Sequence, residues 1–373
     1  MNKTLNFGIE EEYLITDLAT RTMLSQPTRQ LIAECQAALG SHFAFEMFQG
    51  QIEVASPVFA NLAQANEYLT NARGRLVQIL ENNDLGLLCA GSHPLADWRL
   101  QQATDQEHFR KLFRDFQRVA QRSVLCGLHV HVEVPDRLDR ICVMNQVLPW
   151  LPLLLALSSS SPFWDGAPSG FMSYRQVACD EWPRMGVPEY FENEQAYRDY
   201  LQLLLQTGSI STPGECWWGL RPAARYPTLE LRMTDACPRL SDALCIASLF
   251  RIMVGHAIET PQPGAGYSQT SQWILKENRW RAKRFGVHGH FIREGSALML
   301  SAGQWLDWAQ ETFLATAEQL GEAQVFEQAR QILEEGSSAD RQLHCFDQAQ
   351  AAGLSTSTAL ARVVDQLLGA ANP

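Results

Sequence analysis

The stretch Phe7-Gly8-Ile9-Glu10-Glu11-Glu12-Tyr13 sets three acids in a row inside an otherwise apolar, β-favouring segment. Successive side chains of a strand alternate faces, so Glu10 and Glu12 lie on one face with Gly8, while Ile9 and Glu11 lie on the other. Two carboxylates on one face of a core strand repel each other unless a cation or a ring of bases stands between them. Phe7, Ile9, Tyr13 and Leu14 make the segment too apolar for a solvated edge. Any fold this chain adopts must supply partners for that acidic face.

Three other segments repeat the pattern. Val124 to Val134 alternates strictly, with His129, His131 and Glu133 on one face and Val130, Val132 and Val134 on the other. Phe43 to Phe48 and Gln51 to Ala55 read as short strands separated by Gly50, with Gln51 and Glu53 on one face. Tyr226 to Asp235 puts Thr228, Glu230, Arg232 and Thr234 opposite Leu229, Leu231 and Met233. Four strands thus aim acids or histidines out of one face of what could be a single sheet.

Helices fill the intervals. Asp17 to Thr22 reads as a hairpin turn, Pro27 to Leu39 as a helix, and Asn61 as the cap of a helix reaching about Asn82. Leu85 to Ala90 returns to strand, and Thr104 with Glu107 reads as a capping box for a helix to about Arg122. Asp136 starts a helix through an apolar run interrupted by Pro149 and Pro152. Ser158 to Pro188 is too long for a passive connection and reads as an active-site loop. Glu194 to Gln206 is helical, and from Ser241 the pattern is helical almost throughout, including a basic, tryptophan-bearing helix at Asn278 to Arg284.

Composition narrows the partners. A net charge of -11 repels nucleic acid and anionic membrane surfaces. Nine cysteines without CxxC spacing, in a 373-residue chain, indicate reduced cytoplasm. The first residues run directly into the acidic strand, so no secretion signal is expected, and Val147 to Leu157 is too short to span a membrane. With 46% hydrophobic residues and no long linker, residues 1–373 are expected to form a single domain.

Hard oxygen ligands with one or two imidazoles suit Mg²⁺ or Mn²⁺ better than structural zinc. Carboxylates with arginines beside them suit metal-bridged phosphates, here without a P-loop. Taken singly, each piece has a plainer account: a surface His-x-His, or a cross-strand ion pair between Glu230 and Arg232. Two other readings compete, a zinc-dependent amidohydrolase built on His129 and His131 with Glu133 or Glu230 as base, and a non-catalytic nucleotide-binding protein.

Several motifs together carry a resemblance: Phe-Gly-Ile-Glu-Glu-Glu-Tyr at 7–13, Glu-Val-Ala-Ser at 53–56, Gly-Ser-His-Pro at 91–94, Gly-Leu-His-Val-His-Val at 127–132, Ser-Pro-Phe-Trp at 161–164, Leu-Glu-Leu-Arg-Met-Thr-Asp at 229–235 and Asn-Arg-Trp-Arg-Ala-Lys-Arg-Phe-Gly at 278–286. In that order they resemble the second glutamate-cysteine ligase family, the YbdK-like carboxylate-amine ligases. The resemblance implies an α+β, glutamine synthetase-like catalytic fold, a curved and mainly antiparallel sheet with helices packed behind it. It further implies ATP and Mg²⁺ or Mn²⁺ as cofactors, small amino-acid substrates, and a glutamate γ-carboxylate activated as an acyl phosphate for attack by an amine such as cysteine. Carried over by position, Glu10, Glu12, Glu53, His129 and Glu230 resemble the metal ligands, and Arg232 the phosphate-contacting arginine. Arg221 and Arg175 resemble arginines that receive a substrate carboxylate or the γ-phosphate, and Asn278 with Arg281 lies in a motif that closes over nucleotide. A homodimer is expected, from the family and from the frequency of symmetric dimers. One departure is the second His-x-His, His288 and His290, after Arg-Phe-Gly; Gly289 between them marks a turn.

Overall fold

The computed structural model describes residues 5–261 and 268–372. The parts of the sequence reading that cover residues 1–4, 262–267 and 373 lie outside it.

The acidic segment is the long central strand β1 (Phe7–Asp17). β2 (Phe43–Phe45) and β3 (Gln51–Ala55) follow helix α1 (Arg29–Leu39), and β4 (Leu85–Leu88) follows α2 (Leu62–Glu81). β5 (Leu128–Glu133) is the histidine strand. Two small strands, β6 (Phe163–Trp164) and β7 (Ala167–Pro168), pair with each other, and β8 (Leu220–Pro222) and β9 (Thr228–Leu231) complete the main sheet. Its order is β2-β3-β1-β5-β9-β8, every pairing is antiparallel, and β4 pairs with the far half of β1. Register then does the rest: Glu12 lies opposite Glu53, Glu10 opposite His129, and Glu230 opposite both His131 and Arg221. A slip of one residue on any of these strands would turn its polar side chains to the other face.

The opposite face is apolar and covered by helices. Ile9, Val130, Val132, Leu229 and Leu231 join a core with Ile246, Phe250 and Val254 of α9 (Leu240–Glu259), while Leu14, Ile52 and Val54 pack with Leu76 and Leu80 of α2. Each such side chain, fully buried, contributes about 1.5–3 kcal/mol. α9 and the helical path Arg140–Ser158 are long and apolar enough to cross a membrane by composition, yet 83% and 78% of their most apolar windows are buried inside the protein. They are core helices.

Glu11, the middle acid, points into this helical side. Arg73 of α2 meets it with Nη2–Oε1 at 2.5 Å and Nε–Oε2 at 3.1 Å, and the Tyr13 hydroxyl donates to Oε2 at 2.5 Å. Arg73 also donates to the carbonyls of Cys237 and Pro238, so the pair joins β1, α2 and the start of α9.

Several boundaries differ from the sequence reading. Asn61 does cap α2, its side chain accepting from the Gln64 amide. Thr104 caps nothing: its hydroxyl donates to the Glu46 carbonyl at 2.5 Å, and the expected long helix is split into α3 (Glu107–Phe116) and α4 (Arg118–Gln121) at Gln117, whose φ is 43°. Asp139, not Asp136, caps α5 (Arg140–Val147), and the prolines impose a 3₁₀ turn before α6 (Leu151–Ser158). The Ser158–Pro188 stretch is no open loop. It carries the β6-β7 pair and α7 (Tyr174–Cys179), and Ser158 to Ser161 are buried. Beyond α8 (Glu194–Gln206) and α9, the chain continues through α10 (Gln269–Phe285), the β10 (His290–Ile292) and β11 (Met299–Ser301) pair, and four helices ending at Ala371.

Removing one partner of a buried ion pair leaves an uncompensated charge. Arg73→Met is expected to lower unfolding free energy by about 3–5 kcal/mol in urea titrations. Asp365→Asn, which breaks an exposed pair with Arg21, should cost less than about 1 kcal/mol. A loss below that level for Arg73→Met would show that Glu11 is solvated or protonated in the folded state.

Candidate active site

Six ligand side chains gather on the polar face in two groups. Glu12, Glu46 and Glu53 each offer a carboxylate oxygen within 4.8 Å of the others, and Glu10, His131 and Glu230 do the same with two carboxylates and an imidazole. Glu46 was not anticipated. It follows the end of β2, so alternation does not assign it a face; its signal is a lone acid in the apolar run Phe43 to Phe48.

The two groups differ electrostatically. In the first, the Gly127 amide donates to Glu12 at 2.5 Å and the Met47 amide to Glu46; among the described residues no arginine or lysine bonds to any of the three acids, and His129 Nε2 stands 3.5 Å from Glu12. Burial, then the charge of Glu12, pushes the Glu46 carboxyl up to about 8. Burial, then the charges of Glu10, Glu46 and Glu12, holds the Glu53 carboxyl well above its usual range. In the second group the bases win. Burial would raise the Glu10 carboxyl, but His129 (3.2 Å) and His131 (3.3 Å) outweigh it and hold it far below the ordinary range. Burial likewise opposes ionisation of Glu230, and the charges of Arg232 and Arg221 overcome it.

Arg221 grips Glu230 with two bonds of 2.9 and 3.1 Å and donates to the carbonyls of Gly214 and Cys216, both at 2.8 Å. The sequence reading made it a receiver of substrate carboxylate or phosphate; here its guanidinium is committed to holding a ligand acid. Arg232 Nη1 donates to Glu230 at 2.5 Å and lies 3.5 Å from His129 Nδ1. Its charge also acts on Glu46 and Glu53 of the first group, lowering their carboxyls against burial.

His131, rather than the expected His129, completes the second group. His129 stands between Glu10 and Glu12, and burial followed by the Arg232 charge lowers its pKa against the pull of those two acids. The Nε2 atoms of both histidines are buried and make no well-directed hydrogen bond, although Glu12 and Glu10 oxygens stand 3.5 and 3.3 Å away. Two such imidazole nitrogens among crowded carboxylates are the donor set of a divalent cation site. These residues fit one.

Arg175, on α7, donates to the carbonyls of Arg232 and Thr234 at 3.1–3.3 Å. A Cβ on Gly127 would come within 2.3 Å of its Nη2 and 2.9 Å of His129 Nε2, so the guanidinium lies against bare backbone at the edge of the site. Asn278 and Arg281 have other work. Both ends of the Asn278 amide pair with the backbone of Ile292, and Arg281 binds Glu277 and the His290 carbonyl. Among the described residues, neither bonds to the sheet acids. His288 is exposed and paired with Asp340, so it adds no imidazole to the sheet.

Beyond Glu10 and His131, a cavity of about 420 Å³ opens at the end of β1, lined by Gly8, Ser56, Val58, His131, Tyr226 and Thr228 among others.

The family model described as glutamate-cysteine ligase family 2 matches residues 6–360. The chain belongs to this family. By that membership it is an enzyme, a carbon-nitrogen ligase. The protein called "Putative glutamate--cysteine ligase 2" in Pseudomonas fluorescens is 56% identical over 363 residues, covering 97% of this chain and 94% of that one. The proteins of the same name in Ectopseudomonas mendocina and Pseudomonas putida are 47% and 46% identical, covering 97% and 98% of this chain and 96% and 98% of theirs. Among solved structures, a glutamate-cysteine ligase from Francisella tularensis in complex with AMP superposes with a TM-score of 0.74 at 12% identity, over 99% of this chain and 89% of that one. A bifunctional glutathione synthetase from Pasteurella multocida gives 0.73 at 14% identity; this chain is covered over 98% of its length and spans about half, 52%, of that chain. The fold is therefore the glutamine synthetase-like α+β architecture that the sequence led us to expect.

A carboxyl whose pKa is raised on folding contributes stability below its unfolded value and loses it as pH climbs through the folded one. For Glu46 that window runs from 4.5 to about 8. Metal-free protein in chelator is expected to lose melting temperature progressively across this window, and Glu46→Gln to make the slope shallower. Identical slopes for the two proteins would mean that neither burial nor the charge of Glu12 raises the Glu46 carboxyl.

Proposed function

We propose that the protein is an ATP-dependent ligase that joins a carboxylate, the γ-carboxyl of glutamate, to an amine such as cysteine. The observation that carries this reading is the pair of candidate ligand groups reached from alternate residues of one strand, Glu10 and Glu12, with Arg232 bonded to Glu230 of one group and its charge acting on Glu46 and Glu53 of the other. Same-face residues of a strand lie about 7 Å apart, a spacing that lets two cations act on one triphosphate. Mg²⁺ or Mn²⁺ would be held by Glu12, Glu46 and Glu53 and by Glu10, His131 and Glu230, and would supply charge neutralisation for the phosphates.

The residues then divide the work. The cavity beside Gly8 and Tyr226 receives the nucleoside, leaving the triphosphate to run along β1 toward Glu12. Arg232, bonded to Glu230 and acting by its charge on Glu46 and Glu53, stabilises charge on the transferring phosphoryl group. Arg175, at the Glu12 end, meets the γ-phosphate or the substrate carboxylate. A carboxylate oxygen attacks the γ-phosphorus and the bond to the ADP oxygen breaks. The amine nitrogen next attacks the acyl carbon, loses a proton, and inorganic phosphate leaves. No enzyme nucleophile is required, which fits a face of acids, imidazoles and guanidiniums. The AMP in the Francisella structure belongs to that protein and supports a nucleotide site here.

The same reading takes residues 1–373 as one ligase unit acting as a cytoplasmic homodimer; nine free cysteines fit a reducing compartment.

Incubation with Mg-ATP, glutamate and a panel of amines should release ADP and phosphate and yield an amide visible by mass spectrometry. Arg232→Ala should lower turnover about a hundredfold to a thousandfold, with thermal melts as the control for folding, while Glu230→Gln should shift the Mg²⁺ dependence. Folded protein that makes no ADP with any pair, or Arg232→Ala at wild-type rate, would overturn the proposal.

A further inference from the structure

The motif at residues 278–286 makes no bond to the sheet acids, yet it contains two of the most deeply buried cations in the protein. Side chains of Arg279 and Lys283 are 9% and 7% exposed, and both reach one acid, Asp180, which is 41% exposed. Arg279 Nη2 lies 2.6 Å from Asp180 Oδ1 and Lys283 Nζ 2.5 Å from Oδ2. Asp180 is the residue that ends α7, the short helix that carries Arg175.

Both ends of α7 are held by α10. At the N-terminal end, the amides of Met172 and Ser173 donate to the Lys283 carbonyl at 2.8 and 3.1 Å. In the middle, Arg279 Nη2 donates to the Gln176 carbonyl and to its side-chain oxygen, at 3.2 and 2.8 Å. At the C-terminal end stands Asp180. Lys283 thus grips one helix at both ends, with its carbonyl at one and its ammonium at the other. On the other side, the helix is anchored to the sheet: Ser173 and Ser161 hydroxyls donate to Asp235 at 2.8 and 2.7 Å, and the Arg175 amide donates to Ser161 Oγ at 3.0 Å. A six-residue helix cannot hold its own position by helix propensity. Its orientation, and with it the direction of the Arg175 guanidinium, is set by these external contacts.

We propose that Asp180, Arg279 and Lys283 are positioning residues: together they clamp α7 so that the Arg175 guanidinium lies against Gly127 at the edge of the carboxylate site. The basic run of α10 thereby acts on the reaction through Arg175 and not by touching nucleotide. This rests on the ligase reading only in taking Arg175 to meet substrate.

The test is a double-mutant cycle on kcat/KM for the carboxylate substrate. Asp180→Asn removes the shared charge at an exposed position and keeps the side-chain shape. It is expected to lower kcat/KM tenfold or more, as Arg175→Lys does, and Asp180→Glu to recover most of that loss. In the Arg175→Lys background, Asp180→Asn should add less than a twofold effect, because the group it positions is already altered. Lys283→Met gives a second route to the same cycle should Asp180→Asn fold poorly. Multiplicative losses in the double variant, or Asp180→Asn within twofold of wild type, would overturn the clamp. Arg175→Lys at wild-type kcat/KM would overturn it too, while ADP release by the wild-type enzyme would leave the ligase reading standing.

Discussion

Like charges crowded on one face of an antiparallel sheet are the constraint around which this molecule is organised. Two carboxylates about 4 Å apart repel by about 4 kcal/mol at an effective dielectric constant near 20, and the sheet brings Glu12, Glu46 and Glu53 within 4.8 Å of one another. The fold resolves the repulsion unequally. At Glu10 and Glu230 it supplies two imidazoles and two guanidiniums, and the acids ionise readily. At Glu46 and Glu53 it supplies only the Met47 amide, bonded to Glu46, and the unbonded charge of Arg232, which burial and the neighbouring acids outweigh, and the acids resist ionisation. The first group is therefore the one that gains most from a bound cation, while in the second a cation competes with bases already in place.

Such a face has to be stabilised from behind. The apolar side of β1, β5 and β9 packs on α2 and α9, and the Glu11–Arg73 pair runs through that layer, fully enclosed. Desolvating such a pair offsets much of its attraction, so its contribution lies in orientation more than in net stability. By bonding to β1 and to the carbonyls of Cys237 and Pro238, it ties the strand that carries Glu10 and Glu12 to the segment leading out of the Arg232 strand. Asp235 plays a matching part at the other end of that segment, accepting from Ser160, Ser161 and Ser173 and so fastening the 158–188 segment to the sheet.

The faces of β1, β3, β5 and β9 were legible because period-two alternation is a geometric property of the strand itself, independent of what it packs against. Glu10, Glu12, Glu53, Glu230 and Arg232 follow from it. Glu46 does not: the sequence reading assigned faces to Gln51 and Glu53 but not within Phe43 to Phe48, whose strand β2 is only three residues long and ends before Glu46. Which histidine joins which acids was also hidden: His129 and His131 share a face, and only the register against β1 and β9 separates them. Thr104 illustrates a different limit. Its spacing to Glu107 matches a capping box, but a tertiary acceptor, the Glu46 carbonyl, took the hydroxyl. Arg221 and Asn278 were recognisable as polar groups in meaningful motifs, and their partners, fixed by long-range packing, decided their tasks.

Sequence order along β1 maps onto a spatial order across the site. From the Gly8 cavity the strand passes Glu10 with its bases, then Glu12 with its crowded acids, and then the Gly127–Arg175 contact. On the ligase reading, nucleoside, triphosphate and acceptor carboxylate are laid out in that sequence, so the phosphoryl group travels along the strand direction, away from the nucleoside. Charge stabilisation is then needed between the two ligand groups, and Arg232, bonded to one and acting by its charge on the other, supplies it. That role demands that Arg232 remain bound to Glu230 without being neutralised entirely by it. Arg221 meets that demand: it donates two bonds to the Glu230 carboxylate and so shares that acid's charge, while the Arg232 charge acts on Glu46 and Glu53 as well.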